Sequence, residues 1–532
     1  MFKRLSDLFR GRKKQFMQQF KILWADDEIE LLKPHILFLE QKGYHLTPVN
    51  SGSDALEEID HNPFDIVFLD ENMPGMSGLE TLNYIKSTHP NLPVVMITKS
   101  EEEEIMEEAI GAKIADYLIK PLNPNQILLS VKKILDNKRI ISEKTNLGYQ
   151  KDFQKLSMDV MEAQDHTDWA EIYKKLVYWE LEIDETEDKS MVEVLNAQKV
   201  EADGNFSDFV IRNYEEWISN PDTDRPLLSH NLMKSSVFPI MGEVPVFFIV
   251  IDNLRYDQWK IIEPDIAEIF SIESEDLYYS ILPTTTSYAR NALFAGVTPL
   301  EIVNRFPDLW VDEEDDEKKN MFEKELLEAN LARNGMRDRF SYHKILRSEE
   351  GKHLSEMVPN LMANGLNAIV FNFVDMLSHA RTDMQMIREL APDESAYRSL
   401  TKSWFTHSTL YDTLKALADQ KVKVVITTDH GTIRVSKAQK IVGDRKTNTN
   451  LRYKVGRNLA FDEKKVFFHR EPEKIGLPKS HVSSTFAFAL EDHFFAYPNN
   501  FNYYVRHYKD TFQHGGISME EILVPLVILG NK

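Results

Sequence analysis

Between residues 21 and 138, short apolar runs rich in β-branched residues alternate with helix-period stretches: KILWA at 21–25, DIVFLD at 65–70, PVVMIT at 93–98 and DYLIK at 116–120. Such alternation predicts a doubly wound unit, a parallel sheet with helices on both faces. From 139 to 235 the strand signal stops and a helical pattern takes over, with Trp169, Leu176, Trp179, Phe206, Phe209, Tyr214 and Trp217 as its apolar positions. This segment is expected to be a helical connector domain, either relaying a state or forming a dimer contact. Its acidic run ELEIDETEDK at 180–189 is expected on a solvated face or turn. Beyond residue 240 three strongly apolar runs each finish in an aspartate: VFFIVID at Asp252, AIVFNFVD at Asp375, and VKVVITTDH at Asp429 and His430. Continuous runs of this kind fit strands buried on both faces of a parallel sheet, which predicts a second α/β domain over 236–532.

Ligands of open parallel sheets bind where the strands end at their carboxyl edge, and both predicted sheets put polar residues there. In the first, Asp26 and Asp27 follow one strand, Asp70 and Thr98 end two others, and Lys120 with Pro121 closes the last. Converging carboxylates make a hard oxygen site suited to magnesium, and a lysine opposite them can pair with an added anion. In the second, Asp252, Asp375 and Asp429 meet at one edge, interleaved with His379, His430 and His514 of the loop FQHGG. Carboxylates mixed with imidazoles suit zinc, with manganese as the alternative. The segment LPTTTSYARNALFAG at 282–296 adds a run of threonines leading into a helix. A threonine hydroxyl is a poor nucleophile at neutral pH unless a metal activates it.

The 532 residues carry 63 Lys and Arg against 85 Asp and Glu, a formal net charge of −22, and contain no cysteine. At roughly 100 to 200 residues per domain, the length allows three or four domains. The absence of cysteine excludes disulfides and thiolate metal sites, so any metal is held by histidine and carboxylate. The acidic balance argues against a coat on duplex DNA, and no basic helix-turn-helix segment follows the first domain. No stretch approaches the eighteen apolar residues of a membrane span. Residues 1–20 form a basic leader without a signal-peptide core. One segment reverses the charge: RVSKAQKIVGDRKTNTNLRYKVGR, with Arg434, Lys437, Lys440, Arg445, Lys446, Arg452, Lys454 and Arg457 against Asp444. Beside a metal site it suggests a polyanionic substrate such as an oligonucleotide or nucleotide diester.

The acid pair Asp26–Asp27, Asp70 in LDENMPGMSG, Thr98, Tyr117 and Lys120–Pro121 resemble the receiver domain of two-component response regulators over residues 21–138. The resemblance implies Asp70 as phosphoacceptor and Asp26, Asp27, Asp70 and the Asn72 carbonyl around magnesium. It also implies Thr98 and Lys120 on the phosphoryl group and Tyr117 moving with the switch. Residues 236–530 are similar to the alkaline phosphatase superfamily, in its PglZ branch. That likeness implies one zinc held by Asp252, the nucleophile hydroxyl, Asp429 and His430, and a second held by Asp375, His379 and His514. A helix glycine ten residues after the nucleophile selects Thr286 from Gly296, with Thr285 as runner-up. Arg290 and Asn291 are then candidates to contact non-bridging oxygens. Two metals roughly 4 Å apart would clamp an in-line displacement. Sulfate ester hydrolysis is disfavoured, because a threonine stands where a cysteine or serine would be needed.

A receiver joined to a PglZ-type domain resembles the response regulators of type IX secretion. This implies a cytoplasmic protein that forms a homodimer when phosphorylated. Its partners would be a histidine kinase, a sigma factor and secretion-motor components, and its substrates cyclic or linear oligonucleotides. The expectation is a phosphorylation-controlled zinc phosphodiesterase. The alternative is an interaction regulator whose metal site is structural or vestigial.

Overall fold

The computed structural model describes residues 20–90, 92–99, 114–186, 190–311, 320–444, 447–479, 481 and 483–532. The basic leader, apart from Phe20, and the candidates Arg445 and Lys446 lie outside the described residues. The chain divides into two compact units at Leu147–Gly148.

In the first unit, strands β1 (Lys21–Ala25), β2 (His45–Val49), β3 (Ile66–Asp70), β4 (Val94–Thr98) and β5 (Asp116–Ile119) form one parallel sheet of order β2-β1-β3-β4-β5. Strand alternation explains the unbroken apolar runs. Ile22, Trp24, Phe68 and Ile97 face one buried layer, and Leu23, Ala25, Val67, Leu69 and Met96 face the other. The edge strand β2 was not marked by the hydrophobic pattern. Its sequence, HLTPV, buries only Leu46 and contains Pro48, which an edge position tolerates because no ladder donor is needed on its open side.

The second unit is built on a six-stranded sheet. Its strands are β6 (Val246–Ile251), β7 (Phe270–Tyr279), β8 (Phe340–Ile345), β9 (Leu366–Phe371), β10 (Lys423–Thr427) and β11 (Leu523–Asn531), in the order β7-β11-β10-β6-β9-β8. β10, β6, β9 and β8 run parallel, whereas β11 and β7 join antiparallel. β10, β6 and β9 are neighbours, so the segments after all three leave from one edge. Smaller sheets formed by residues 437–496 sit in the connection between β10 and β11.

One expectation changes here. From Gly148 onward the helical segment 139–235 packs within the second unit. The His166–Asp184 and Ser190–Ser219 helices bury Trp169, Leu176, Phe206 and Trp217 in one continuous core with Phe247, Ile249, Ile426 and Val527 of the sheet. The described part of the acidic run, 180–186, is only partly solvated. Ile183 is buried, and Glu180 and Asp184 both pair with Arg398. A sequence window counts its charges but cannot show a buried arginine arriving from 218 residues away. No helix among the described residues is long and apolar enough to cross a membrane.

Trp169 is buried against Phe206 and Phe209 inside this shared core. Trp169→Ala is therefore expected to destabilise the whole second unit by about 3–5 kcal/mol. In urea unfolding followed by circular dichroism, helices and sheet should lose stability together while the receiver transition stays in place.

Candidate functional site

In the first unit, Asp26 and Asp70 end adjacent strands and are buried, and Lys120 reaches both from the end of β5, with Nζ 2.8 Å from Asp26 and 2.7 Å from Asp70. Asp27 is exposed, yet offers an oxygen within 4.8 Å of those of Asp26 and Asp70. Burial lifts the Asp70 carboxyl above its ordinary range, with Lys120 pulling the other way. Burial works against the Lys120 charge, but the two aspartates outweigh it and hold the ammonium above its usual value. Thr98 donates its hydroxyl to Glu71, a partner that the sequence pattern did not reveal. Tyr117 is half-buried against the layer beneath β3 and β4, and Asn72 is exposed two residues beyond Asp70.

In the second unit, Asp252 directly follows β6, and Asp429 and His430 follow the neighbouring β10. Asp375 does not end a strand as expected. β9 stops at Phe371, and Asp375 lies in the first turn of the Phe373–Asp383 helix. The helical turn brings His379 onto the same face, its Nε2 3.5 Å from Asp375 Oδ1. His514 arrives from the loop before β11, with Nε2 3.7 Å from the same oxygen. Two sets result, Asp252–Asp429–His430 and Asp375–His379–His514, each with donor atoms within 4.8 Å of one another. These are the groupings that the family resemblance implied. The His430 and His514 rings stack at 4.3 Å between centroids, which puts the sets side by side.

Of the three threonines, Thr286 faces the cluster: its Oγ1 is 3.2 Å from His430 Nε2 and 3.4 Å from Asp252 Oδ1. Thr284 is engaged with the backbone of Gly515 and Gly516, and Thr285 lies 3.3 Å from the Ser287 hydroxyl. His430 Nδ1 meets the Gly431 carbonyl at 3.1 Å and His514 Nδ1 meets the Thr284 carbonyl at 3.2 Å, so each ring turns Nε2 inward. Asn253 was missed from sequence, although its place directly after a strand-ending aspartate was a signal. It adopts φ 66°, a left-handed conformation that asparagine accepts. From there its backbone donates to Asp429 at 3.4 Å, and its amide to Asp375 at 3.3 Å and Ser378 at 3.1 Å, tying the two sets together.

Arg290 is placed behind the ligands, with 1% of its side chain exposed. Its guanidinium lies 2.7 Å from Asp252 and 3.7 Å from Asp429, while Nε donates to Glu323 at 2.6 Å. The expected contact with substrate oxygens is thus replaced by a positioning role, because the guanidinium is enclosed among carboxylates. Glu323 had no sequence signal. Burial opposes its charge, but Arg290 and Lys344 outweigh that and hold it below the ordinary range. Asn291 turns its amide to the Ser287 carbonyl at 2.9 Å. Burial raises the Asp252 carboxyl against the pull of Arg290, and burial with the nearby Asp252 charge raises Asp375. Burial, with His430 and His379 adding to it, holds His514 well below the ordinary histidine range, as the neutral ring a metal requires.

The residues fit a pair of divalent cations. Asp252 Oδ2 and Asp429 Oδ2 are buried without an aligned hydrogen bond, in a pocket holding more carboxylates than the single Arg290 offsets. Such oxygens need a cation or a proton.

The basic segment is split by the fold. Arg434 pairs with Asp510 at 3.2 Å and Lys437 with Asp492 at 2.9 Å, both at partly exposed positions, and Lys440 lies over the Phe501 ring. Arg452 is fully buried and bound by Glu521 and the His493 carbonyl, so it holds the His514 loop and is not available to a substrate. Lys454 is likewise enclosed, its ammonium drawn down to about 7 by burial.

Arg290→Met strands Asp252 as a buried charge without its paired guanidinium and leaves Glu323 with Lys344 alone. It is expected to cost the second unit about 3–5 kcal/mol in denaturant unfolding. Arg290→Lys should recover only part of this, since one ammonium cannot reproduce the guanidinium fork.

Comparison with known proteins divides the chain into three segments. Residues 22–132 match the response regulator receiver domain, 139–218 the PorX response regulator linker domain, and 232–529 the BREX system PglZ alkaline phosphatase-like domain. Among curated proteins, the transcriptional regulatory protein ZraR of Escherichia coli O157:H7 is 36% identical over 124 residues, 23% of this chain and 28% of that protein. ResD of Bacillus subtilis is 30% identical over 115 residues, 22% of this chain and 48% of that protein. The chain thus spans between about a quarter and a half of the curated relatives it matches. A CheY-like receiver from Methanospirillum hungatei is 27% identical, covering 23% of this chain and 96% of that one, with a TM-score of 0.22. The PglZ match takes in more than half of the chain and every residue of the two donor sets, so the chain belongs to the PglZ alkaline phosphatase-like family, with a response-regulator receiver ahead of that domain.

Proposed function

We propose that the chain is a response regulator whose aspartyl phosphorylation controls a zinc-dependent phosphodiesterase acting on cyclic or linear oligonucleotides. The observation that carries the enzymatic part is Thr286, a single hydroxyl turned to the Asp252–Asp429–His430 set, 3.2 Å from His430 and 3.4 Å from Asp252. Asp252, Thr286, Asp429 and His430 would hold one cation and Asp375, His379 and His514 the other. When bound, the cations supply charge neutralisation and activation of the hydroxyl.

Within this reading, Asp252 Oδ1 accepts the Thr286 hydroxyl hydrogen and orients the oxygen for in-line attack on phosphorus. The P–O bond to the leaving alcohol breaks, and the phosphoryl group is carried on Thr286 until water hydrolyses it. Arg290 and Glu323 fix Asp252 from behind. His379, well exposed, marks the side from which substrate arrives. Arg434, Lys437 and Lys440, at the partly exposed end of the basic segment, are the cations placed to hold a polyanion.

In the receiver, a phosphoryl group on Asp70 meets Lys120 and draws Thr98 away from Glu71, and the surface around Tyr117 follows. Magnesium would be held by Asp26, Asp27, Asp70 and the Asn72 carbonyl. A receiver requires a phosphodonor, so a cognate histidine kinase is the first partner, met in the cytoplasm. The match to the PorX linker supports a role in type IX secretion, with a sigma factor and motor components as further partners and dimerisation on phosphorylation.

Hydrolysis of a chromogenic phosphodiester is expected with zinc and not after chelation. Thr286→Ala should lower kcat by on the order of 10^4-fold, while Thr285→Ala should retain turnover. Bound zinc with no turnover in the parent protein would favour a regulator that works by docking alone. Acetyl phosphate with magnesium should shift the parent protein on a phosphate-affinity gel. Asp70→Ala should show no shift, and a persisting shift would move the phosphoacceptor elsewhere.

A further inference from the structure

The two donor sets are carried by several loops, and the helices ahead of the sheet hold three of them by directed polar contacts. The loop after Asp252 is held through Arg398, whose guanidinium lies 2.9 Å from Asp257 and 2.7 Å from Glu180 of the His166–Asp184 helix, with Asp184 also bound. Arg255 completes this loop, with Nε donating to Asp257 at 2.9 Å and Nη1 2.6 Å from Glu394. The threonine loop is held where Leu282 N donates to the Tyr214 hydroxyl at 2.7 Å, four residues before Thr286. The His514 loop is held twice from the Ser190–Ser219 helix: Met519 N donates to Asp203 at 2.8 Å, and Lys199 lies 3.4 Å from Glu520 while also pairing with Glu180 at 2.7 Å. The His430 loop follows the His514 loop. Gly431 N donates to the Glu521 carbonyl at 3.1 Å, and a side-chain carbon at Gly431 would come within 1.9 Å of the Glu520 carbonyl.

Apolar packing alone would attach these helices to any part of the sheet. Two of the described polar contacts go elsewhere, from Tyr279 to the His166 carbonyl and from His469 to Glu215, and the others reach the loops that bear ligands or the arginine that braces one of them. Buried backbone amides such as Leu282 N must find an acceptor, and the helices provide it from Tyr214 and Asp203, both buried. A displaced helix would leave those amides unpaired or drag the loops along.

We propose that the His166–Asp184 and Ser190–Ser219 helices act as a clamp that sets the relative placement of Asp252, Thr286 and His514, with Glu180, Lys199, Asp203 and Tyr214 as positioning residues. The kinetic consequence rests on the phosphodiesterase reading, but the mechanical one does not.

The test uses the full chain and the variants Tyr214→Phe and Asp203→Asn, with Tyr178→Phe, on an exposed ring of the same bundle, as control. Three readouts are compared: amide hydrogen exchange of peptides 280–290 and 514–522, zinc retention against a chromogenic chelator, and kcat and KM for the chromogenic diester. Tyr214→Phe should speed exchange in 280–290 by roughly 10-fold, and Asp203→Asn should do the same in 514–522. Zinc retention should fall about 10-fold or more, as for other groups that orient metal ligands. kcat should drop with KM within twofold. If Asp203→Asn does not fold, Lys199→Gln probes the same loop. Unchanged loop exchange together with unchanged zinc retention overturns the clamp. So does a uniform rise in exchange across the whole unit, which would mark a merely structural role. Loosened loops and weakened zinc binding in a protein without any diesterase activity would uphold the clamp and reject the phosphodiesterase.

Discussion

Like charges that the fold does not allow to separate dominate the second unit. Because β10, β6 and β9 are adjacent and parallel, the segments after them emerge together, bringing Asp252, Asp429 and, one helical turn later, Asp375 to one edge. Water cannot dilute their repulsion, since Asp252 and Asp429 are both essentially inaccessible to it. Arg290 offsets part of the charge, and the surrounding polar groups hold the geometry. Tyr278 and Ser280 bind the backbone carbonyls of Thr428 and Asp429, and Asn253 ties Asp429 to Asp375. A site strained in this way is a receptor for positive charge before it is anything else.

The receiver sets up the same problem and solves it with a different cation. Asp26 and Asp70 share Lys120, a compact ammonium on a flexible stem that remains partly accessible. Arg290 is instead gripped at both ends by Asp252 and Glu323. A lysine can follow a charge that is added to or removed from one partner, whereas a buried guanidinium fork fixes its carboxylates in place. The difference suits a switch in one unit and a rigid pocket in the other.

The residues most legible from sequence were those whose chemistry coincides with the end of an apolar run: Asp26, Asp70, Asp252, Asp429 and His430. Asp375 was found for a partly mistaken reason, since the apolar run continued through the end of β9 into a helix and hydrophobicity alone does not mark that boundary. The edge strand at 45–49 escaped because an edge needs little apolar surface. Glu323 and Arg398, the partner of Glu180 and Asp184, were invisible, because their meaning lies in contacts between distant segments. Arg452 was misjudged for the same reason: a basic run in sequence was divided by strand geometry into exposed cations and two enclosed ones, Arg452 and Lys454.

The core shared by the helices and the sheet also bears on how such proteins are assembled in evolution. Trp169, Phe206 and Trp217 bury their rings together with the same Tyr279 side chain or its neighbours, so a cut near residue 235 would remove part of the core on this face of the sheet and leave Tyr279 uncovered. Recombination that kept the PglZ-like unit folded would have to carry everything from about Gly148 onward as one piece. Different sensory inputs are then expected to be exchanged in the Pro124–Glu162 helix ahead of Gly148, since Tyr149, Leu156 and Val160 in its later turns belong to that interior.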